Sequence, residues 1–144
     1  MDSRTALRPL LLLAALTGLV SASSAVAAEP GVFGVWRNPK GSVHLEVRPC
    51  GASACGYVIW ASDAAQEDAR RGSGKPLVGQ QLLQDFHPDG GGWRGKVYVP
   101  DMDRTFSGSA RLLDPGRLEA RGCLLGRVLC KRQVWTRLEG GAAD

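Results

Sequence analysis

Beyond residue 30 the chain consists of short segments in which apolar and polar residues alternate, and Gly, Pro, Asn and Asp separate these segments. In residues 42–48, for example, Val, Leu and Val alternate with His, Glu and Arg, so that one face is apolar and the other polar. The segment 55–60 is rich in aromatic and β-branched residues, which favour strands. Asn38-Pro39-Lys40-Gly41 has Pro and Gly where a type I turn prefers them. This pattern predicts β-strands joined by tight turns.

Eight segments have this strand pattern, and most follow one another with short connections. The predicted strands are 34–37, 42–48, 55–60, 80–86, 93–99, 105–113, 117–123 and 132–138. Such a meander leaves no exposed edge if the sheet closes on itself, and an eight-stranded barrel has room for packed side chains or one small ligand. We therefore predict an all-β fold, an eight-stranded antiparallel up-and-down barrel, with a two-sheet sandwich as the structural alternative.

One segment departs from the strand pattern. Residues 61–74 are rich in Ala, Gln, Glu, Asp and Arg, with Ser62 placed to cap a helix N-terminus and Gly72 placed to end the helix. We therefore expect one short helix or ordered loop as an insertion in the barrel.

The first 28 residues have the features of a cleaved export signal. Arg4 and Arg8 form a basic start, and residues 10–20 are apolar. Ala25-Val26-Ala27 and Val26-Ala27-Ala28 are nearly equal cleavage motifs of small residues, so the mature chain is expected to start at Ala28 or Glu29. The apolar run is shorter than the roughly 20 residues that a membrane-spanning helix needs, so we expect no integral membrane anchor. The predicted organisation is a signal peptide in 1–28, a single barrel domain in 29–140 and a disordered tail in 141–144. The predicted location is periplasmic or secreted.

The chain has four cysteines, and in a protein exported to an oxidising compartment cysteines are expected to form disulfides. Cys50 and Cys55 flank one predicted turn, and Cys123 and Cys130 flank another. Facing positions of a hairpin bring Cα atoms close to the separation that a disulfide prefers, so we predict the pairs Cys50–Cys55 and Cys123–Cys130. Four cysteines allow three connectivities, and the long-range pairings stay open. The C-x4-C and C-x6-C spacings are unlike those typical of structural zinc, and we predict no metal.

Several short motifs occur in a fixed order along the predicted barrel. They are Gly34-x-Trp36, Cys50, Cys55-Gly56, Leu77-x-Gly79, Gly95-Lys96-Val97-Tyr98-x-Pro100, Leu118-x-x-Arg121-Gly122-Cys123 and Trp135-Thr136-Arg137. In this order and spacing they resemble the bacterial family called domain of unknown function 2147, from Gly31 to Leu138. The resemblance implies a small exported, lipocalin-like (calycin-type) barrel, and the family name assigns no activity. Residues 100–106 lack the Gly that the family commonly has at this turn, which leaves the geometry of the turn open.

The first and last motifs also resemble the wider lipocalin superfamily, in which a first-strand Trp packs under an Arg of the last strand. For this chain the resemblance implies that Trp36 and Arg137 are in contact and close one end of the barrel. A guanidinium over an indole ring is worth roughly 0.5–2 kcal/mol, and its nitrogens can also donate to nearby carbonyls. The expected role of this pair is structural, not catalytic.

Residues with catalytic or metal-binding chemistry are few and scattered along the sequence. His44 lies on the polar side of a predicted strand and His87 lies in a turn. Asp101-x-Asp103 begins like a calcium loop but lacks the remaining ligands. The sequence has neither the motif of a serine nucleophile nor that of a phosphate-binding loop. We therefore predict no catalytic residue and no cofactor, and an unrecognised hydrolase is the least favoured function.

Charge and aromatic content indicate what the barrel is expected to bind. The formal net charge is +4 and the basic residues are scattered, so nucleic acid is not an expected partner. Inward positions of a small barrel form either a packed core or the wall of a pocket. Alternation gives five candidates for a pocket wall: Tyr57, Ile59, Val97, Val99 and Phe106.

Two functions follow from these two kinds of interior. The favoured one is a monomeric, noncatalytic module that binds a small apolar or amphipathic ligand. The alternative is an envelope structural or protein-interaction module whose barrel is filled and whose 61–79 insertion contacts another envelope protein. An open end of the barrel would favour the first function, and an interior filled by side chains would favour the second.

Overall fold

The structure of the protein, a computed structural model, describes residues 31–125 and 128–139. Eight strands form one closed antiparallel barrel in sequence order, and β1 pairs with both β2 and β8. The strands are β1 (Gly34–Arg37), β2 (Val43–Cys50), β3 (Ser53–Ala61), β4 (Gln81–Asp89), β5 (Gly92–Val99), β6 (Arg104–Asp114), β7 (Arg117–Leu125) and β8 (Val128–Leu138). Helix α1 (Asp63–Ser73) connects β3 to β4, and a 3₁₀ helix (Pro100–Met102) connects β5 to β6. The predicted eight-stranded barrel is confirmed.

The up-and-down strand order places every connection at one of two ends of the barrel. The β1–β2 turn, α1, the 3₁₀ helix and the β7–β8 turn lie at one end, which we call the top. The turns β2–β3, β4–β5 and β6–β7 lie at the other end, which we call the base. The chain enters β1 and leaves β8 at the base, where Val35 pairs with Leu138.

Strand pairing identifies the inner face of the barrel. Trp36 of β1 is opposite Leu45 of β2, Leu45 is opposite Val58 of β3, and all three are buried. Directly opposite residues of an antiparallel pair share a face, so the alternating apolar residues of β2 point inward, as their pattern predicts. The buried inner-face residues of β1–β4 are Trp36, Val43, Leu45, Val47, Ala54, Val58, Ala61, Leu83 and Phe86.

Helix α1 covers the top of this side of the barrel. Its N-cap is Ser62, whose hydroxyl accepts a hydrogen bond from the amide of Ala65 at 3.2 Å, as the sequence predicts. Ala69 of the helix and Leu77 after it are buried in the core cluster. The insertion is therefore an ordered helix that packs on the barrel.

The prediction that Gly72 ends this helix is wrong. The helix continues to Ser73, and Gly74 follows in the left-handed conformation with φ of 70°. Gly72 has a different role, because a Cβ at this position would clash with the backbone of Asp101 in the 3₁₀ helix. Its missing side chain lets the helix approach the β5–β6 connection closely.

The 3₁₀ helix is the turn whose geometry the family resemblance leaves open. It ends at Asp103 in the left-handed region, with φ of 48°, which Asp adopts more readily than most residues other than Gly. The Tyr98 hydroxyl donates a hydrogen bond to Asp103 Oδ1 at 2.7 Å, and this bond is the main reason that the pKa of Tyr98 is raised. Asp103 thus adopts a conformation for which Gly is the usual residue.

Both predicted disulfides are present. Cys50 and Cys55 join β2 to β3 at the base, with Cα atoms 5.8 Å apart. Cys123 and Cys130 are directly opposite on β7 and β8 in the upper part of the barrel, with Cα atoms 3.9 Å apart. The long-range pairings that the sequence leaves open are therefore excluded.

The limits of the strands differ from the predicted ones chiefly in the last hairpin. β7 continues to Leu125 and β8 starts at Val128, so both strands extend beyond the second disulfide. The predicted signal peptide in 1–28 and the predicted tail in 141–144 lie outside the described residues. Within 31–125 and 128–139, no helix has the length and apolar character needed to cross a membrane.

Candidate functional site

The base of the barrel is closed around Trp36 and Arg137. The Trp36 side chain is fully buried, with 0% exposure, and its indole Nε1 donates to the carbonyl of Val32 at 2.9 Å. The guanidinium carbon of Arg137 lies 4.2 Å from the centroid of the Trp36 ring. The contact that the lipocalin resemblance implies is therefore present in this chain.

Three guanidinium nitrogens of Arg137 donate to main-chain carbonyls. Nε donates to Pro115 at 2.7 Å, Nη1 to Phe33 at 2.6 Å and Nη2 to Gly31 at 2.5 Å. Burial lowers the pKa of the Arg137 guanidinium. A Cβ at Gly34 would lie 2.7 Å from Nη1, so this close approach requires Gly. Arg137 thus ties the last strand to the segment before β1 and to the β6–β7 turn.

Buried side chains are concentrated on one side of the barrel, and on the other side Trp93, Val97 and Trp135 pack against this core but are only partly buried. The core cluster includes residues of β1–β4, α1 and the loop after it, whereas β5–β8 contribute only Ala110 and Leu118 to its buried members among the described residues. We call β1–β4 with α1 the packed half and β5–β8 the open half. The inner face of the open half is the candidate functional site.

A row of three glycines crosses the inner face of the open half. Gly95 of β5 is opposite Gly108 of β6, which is opposite Gly122 of β7. A Cβ at Gly95 would lie 2.5 Å from Cδ2 of Phe86, and one at Gly108 would meet Val97 and Phe86. The first two glycines therefore make room for Phe86, which reaches across from the packed half.

The third glycine of the row faces open space. A Cβ at Gly122 would have no neighbour within 4 Å. Its partner on β8 is Lys131, which shares the inner face through its register and is exposed to solvent. The adjacent inner-face pair towards the base, Ala120 and Gln133, is likewise not buried. The interior beside these two pairs, in the upper part of β7 and β8, is therefore unfilled and accessible to solvent, whereas Leu118 and Trp135 pack against the core nearer the base.

Three of the five predicted pocket residues lie on this inner face, next to the glycine row. Val97 of β5 is opposite Phe106 of β6, and both are half-buried. Val99, two residues further along β5, has the same orientation at the top and is opposite Arg104. Arg104 and Lys131 therefore place two cationic side chains beside an apolar wall.

Tyr57 lies on the opposite face of the sheet from the one predicted. It is opposite Glu46 on the outer wall, and the Arg48 guanidinium lies 4.2 Å from the centroid of its ring. The neighbouring inner position of β3 is Gly56, where a Cβ would lie 2.8 Å from Cγ of Leu83. Because Leu83 fills this part of the interior, β3 has a small residue inside and the bulky Tyr57 outside.

Ile59 lies in the packed half, away from the open inner face. The β2–β3 register shifts between His44 and Leu45, and Ile59 is the residue of β3 that has no partner there. Such a bulge interrupts the alternation on which the assignment to the inner face depended. Ile59 is half-buried beside Trp60, which is opposite His44 on the outer wall. In the strand order of the barrel, β4 lies between β3, which carries Tyr57 and Ile59, and β5, which carries Val97.

Both histidines lie on the outer wall. The rings of His44 and Trp60 have centroids 4.5 Å apart, and the buried Nδ1 of His44 has no hydrogen-bond partner among the described residues. Burial, followed by the charge of Arg37, lowers the pKa of His44. His87 is opposite Arg94 and is exposed. Across 31–125 and 128–139, no three residues of the types His, Cys, Asp and Glu are grouped so as to hold a metal ion.

The prediction from sequence missed the glycine row and the inward Lys131. A signal for the row is present in the sequence, because β6 and β7 have small residues at alternate positions: Gly108 and Ala110, then Ala120 and Gly122. Short side chains on an inner face leave volume unfilled unless another strand supplies bulk. The position of Lys131 follows only from the strand register, which depends on where the β7–β8 turn falls.

Comparison with known proteins agrees with this architecture. Protein HP1028 from the human pathogen Helicobacter pylori, described as belonging to the lipocalin family, has a solved structure similar to this one, with a TM-score of 0.59 and 20% sequence identity. The match covers 74% of this chain and 82% of that chain, and at this identity it concerns the fold alone. No curated protein matches the chain. Residues 34–137 match the family described as "Uncharacterized protein conserved in bacteria (DUF2147)", and the chain therefore belongs to this family.

Proposed function

We propose that the protein is a noncatalytic module that binds a small amphipathic ligand in the open half of its barrel. The observation that carries this proposal is the open space at Gly122, where a Cβ would have no neighbour within 4 Å. In a barrel filled by side chains, an inner-face Cβ would meet other side chains, as it would at Gly95 and Gly108. The lipocalin-like fold supports the same function, because barrels of this size can hold one small ligand.

The wall of the open half has the composition of a small-molecule site. Val97, Val99 and Phe106 provide apolar surface on β5 and β6, and Phe86 lies against the glycine row beside them. Sites for small molecules are mostly apolar, with a few polar groups that orient the ligand. The apolar part of the ligand is therefore proposed to lie between this wall and Gly122.

The polar groups of the site favour an anionic head group. Lys131 and Arg104 are exposed and share the inner face with Gly122 and Val99, respectively. A carboxylate or phosphate near these two cations would remain hydrated while its apolar chain lay on the inner wall. A fatty acid has this combination of groups.

The two disulfides support a location outside the cytoplasm, because structural disulfides persist in oxidising compartments. The proposed location is the periplasm or the exterior, which agrees with the export signal predicted in residues 1–28. We propose a noncatalytic role because His44 and His87, the two histidines that could act as a general base, lie on the outer wall and not in the proposed site.

The test is binding of cis-parinaric acid, a fluorescent fatty acid, to the purified protein. We expect a saturable rise in fluorescence, and Gly122→Leu should weaken binding about tenfold or more because its side chain occupies the open space. Thr105→Leu is the matched control, since residue 105 is exposed on the outer wall of β6 opposite Tyr98 and its substitution should leave binding unchanged. Lys131→Glu should weaken binding of the fatty acid but not binding of the uncharged alcohol of the same chain length.

Equal binding by Gly122→Leu and the unmodified protein would contradict the proposal. So would the absence of saturable binding together with native mass spectra in which no small molecule accompanies the protein. The interaction module, with 61–79 as its contact surface, would then become the favoured function.

A further inference from the structure

The top of the β7–β8 hairpin bears four exposed apolar side chains. Leu124 is 51% exposed, Leu125 67%, Val128 60% and Leu129 63%. We call these four residues the apolar tip. They lie just beyond Cys123 and Cys130, so the second disulfide holds the two strands together at the start of the tip. Leu125 and Val128 are directly opposite each other, and exposed apolar side chains that adjoin in this way mark a site of interaction.

Three arginines and one serine form a row across the outer wall below the tip. Arg94, Ser109, Arg121 and Arg132 are directly opposite one another on β5, β6, β7 and β8. We call these residues the arginine row. Like charges directly opposite on neighbouring strands destabilise a sheet, and Arg121 and Arg132 are such a pair. An anion held between the strands would remove this repulsion.

Acidic residues neutralise the row only in part. Arg94 is 2.6 Å from Asp89, and Arg132 is 3.6 Å from Glu119, which Arg111 also contacts. Arg121 forms no ion pair within the described part of the chain.

Two depressions lie among these side chains, with volumes of about 310 and 410 Å³. Both are lined by Arg94, Ser109 and Arg121. The outer wall therefore presents net positive charge and room for phosphate groups beside it.

The spacing between the tip and the row matches the depth of a membrane interface. The pair Leu125–Val128 lies four residues beyond the pair Arg121–Arg132, a distance of about 13 Å along the strands. Apolar side chains at a membrane surface insert about 5–10 Å, and cations remain at the level of the lipid phosphates. The long side chains of Arg121 and Arg132 can cover the remaining distance.

We propose that the apolar tip and the arginine row dock the top of the barrel on an anionic phospholipid membrane. This inference goes beyond the proposed function and does not depend on the presence of a ligand in the barrel. The charge of the row favours a lipid surface over a second copy of this chain, because a symmetric pair would bring the same arginines towards each other. The contact is peripheral, with the tip inserted and the rest of the barrel in water.

The test is flotation with vesicles of phosphatidylglycerol and phosphatidylethanolamine. The protein is purified from cells in the form to which they process it. We expect binding that falls about tenfold in vesicles of phosphatidylcholine and phosphatidylethanolamine, and also at high salt, because the arginine contribution is electrostatic. Leu125→Ser with Val128→Ser, and separately Arg121→Gln with Arg132→Gln, should each lower binding about tenfold. All variants share the same N-terminus, so that segment does not affect the comparison.

Two matched controls distinguish these surfaces from general changes in polarity. Leu113→Ser removes an exposed apolar side chain near the base, and Arg48→Gln removes a cation from the outer wall of β2. Both should float like the unmodified protein, and circular dichroism should show that every variant is folded. The proposal is overturned if the unmodified protein does not float with anionic vesicles or if the tip variant floats equally well. It is also overturned if light scattering shows a dimer that the tip variant abolishes.

Discussion

The two halves of the barrel close the same sheet but differ in how they use their inner faces. In the packed half, Trp36 and Val58 are buried among apolar neighbours, and α1 covers the top with Ala69. In the open half, the row Gly95, Gly108 and Gly122 has no side chains, and Phe86 from the other half fills only part of the space. The stability of the fold therefore depends mainly on the first half, which leaves the second available for binding.

One cationic contact joins the two halves at the base, and one of the two disulfides lies in the open half. The base is held by Arg137, which donates to the carbonyls of Gly31, Phe33 and Pro115 from both halves. The upper part of the open half lacks such a core and is held by the second disulfide between β7 and β8. This disulfide holds β7 and β8 together in a region that has little buried apolar surface.

The largest expected difference between the halves is in the effect of removing an aromatic ring. Trp36→Ala should destabilise the protein by about 3–5 kcal/mol, because a buried ring, its hydrogen bond to Val32 and the Arg137 contact are lost together. Phe106→Ala, at a half-buried position of the open half, should destabilise it by about 1–2 kcal/mol. Urea unfolding measures both values, and equal losses would contradict the division into halves.

Removing each disulfide in turn tests whether it stabilises the whole barrel or only the strands that it joins. Cys50→Ser with Cys55→Ser, and Cys123→Ser with Cys130→Ser, should each destabilise the barrel by about 2 kcal/mol from loop-closure entropy. Hydrogen exchange should differ between the two variants. Loss of the second disulfide should speed exchange in β7 and β8 while the packed half stays protected, because its core is intact. Uniformly faster exchange in both variants would show that the halves unfold as one unit.

Much of the fold could be predicted from the sequence because strands and turns have local signals. Alternation in β2 gave the correct inner face, and the spacing of Cys50 and Cys55 gave the correct pair. The candidate site was predicted less well. Val97 and Phe106 lie on the open inner face, but Tyr57 does not, because packing of Leu83 against Gly56 determines the face of β3. The contact between Gly56 and Leu83 joins residues that are distant in sequence, so it cannot be predicted from the local pattern of residues.

A matched pair of glycine substitutions tests the difference between filled and open space within one row. Gly108→Ala should destabilise the protein by about 1–2 kcal/mol, because its Cβ would collide with the Val97 side chain. Gly122→Ala, directly opposite, should be neutral or stabilising by about 0.5 kcal/mol, since its Cβ meets nothing and Ala restricts the unfolded chain. Thermal unfolding of the two variants measures this contrast. A similar loss at both positions would mean that the space at Gly122 is filled in solution.

The smallest expected effect concerns pH and the outer wall of the packed half. Burial against Trp60, followed by the charge of Arg37, lowers the pKa of His44 from its ordinary 6.5. The unfolded chain therefore binds a proton at a higher pH than the folded chain does. Folding stability should be unaffected by this group well above pH 6.5 and should decrease as the pH falls through that value, until the folded protein is also protonated.

His44→Gln should remove part of this decrease, whereas His87→Gln, at an exposed position, is the matched control. The measurement is the urea midpoint of each protein at neutral pH and about one unit below the ordinary pKa. If the His44 variant kept the full pH dependence, the ring would be solvated in both states. The decrease in stability at low pH would then come from other groups, and the burial of His44 would make no contribution to it.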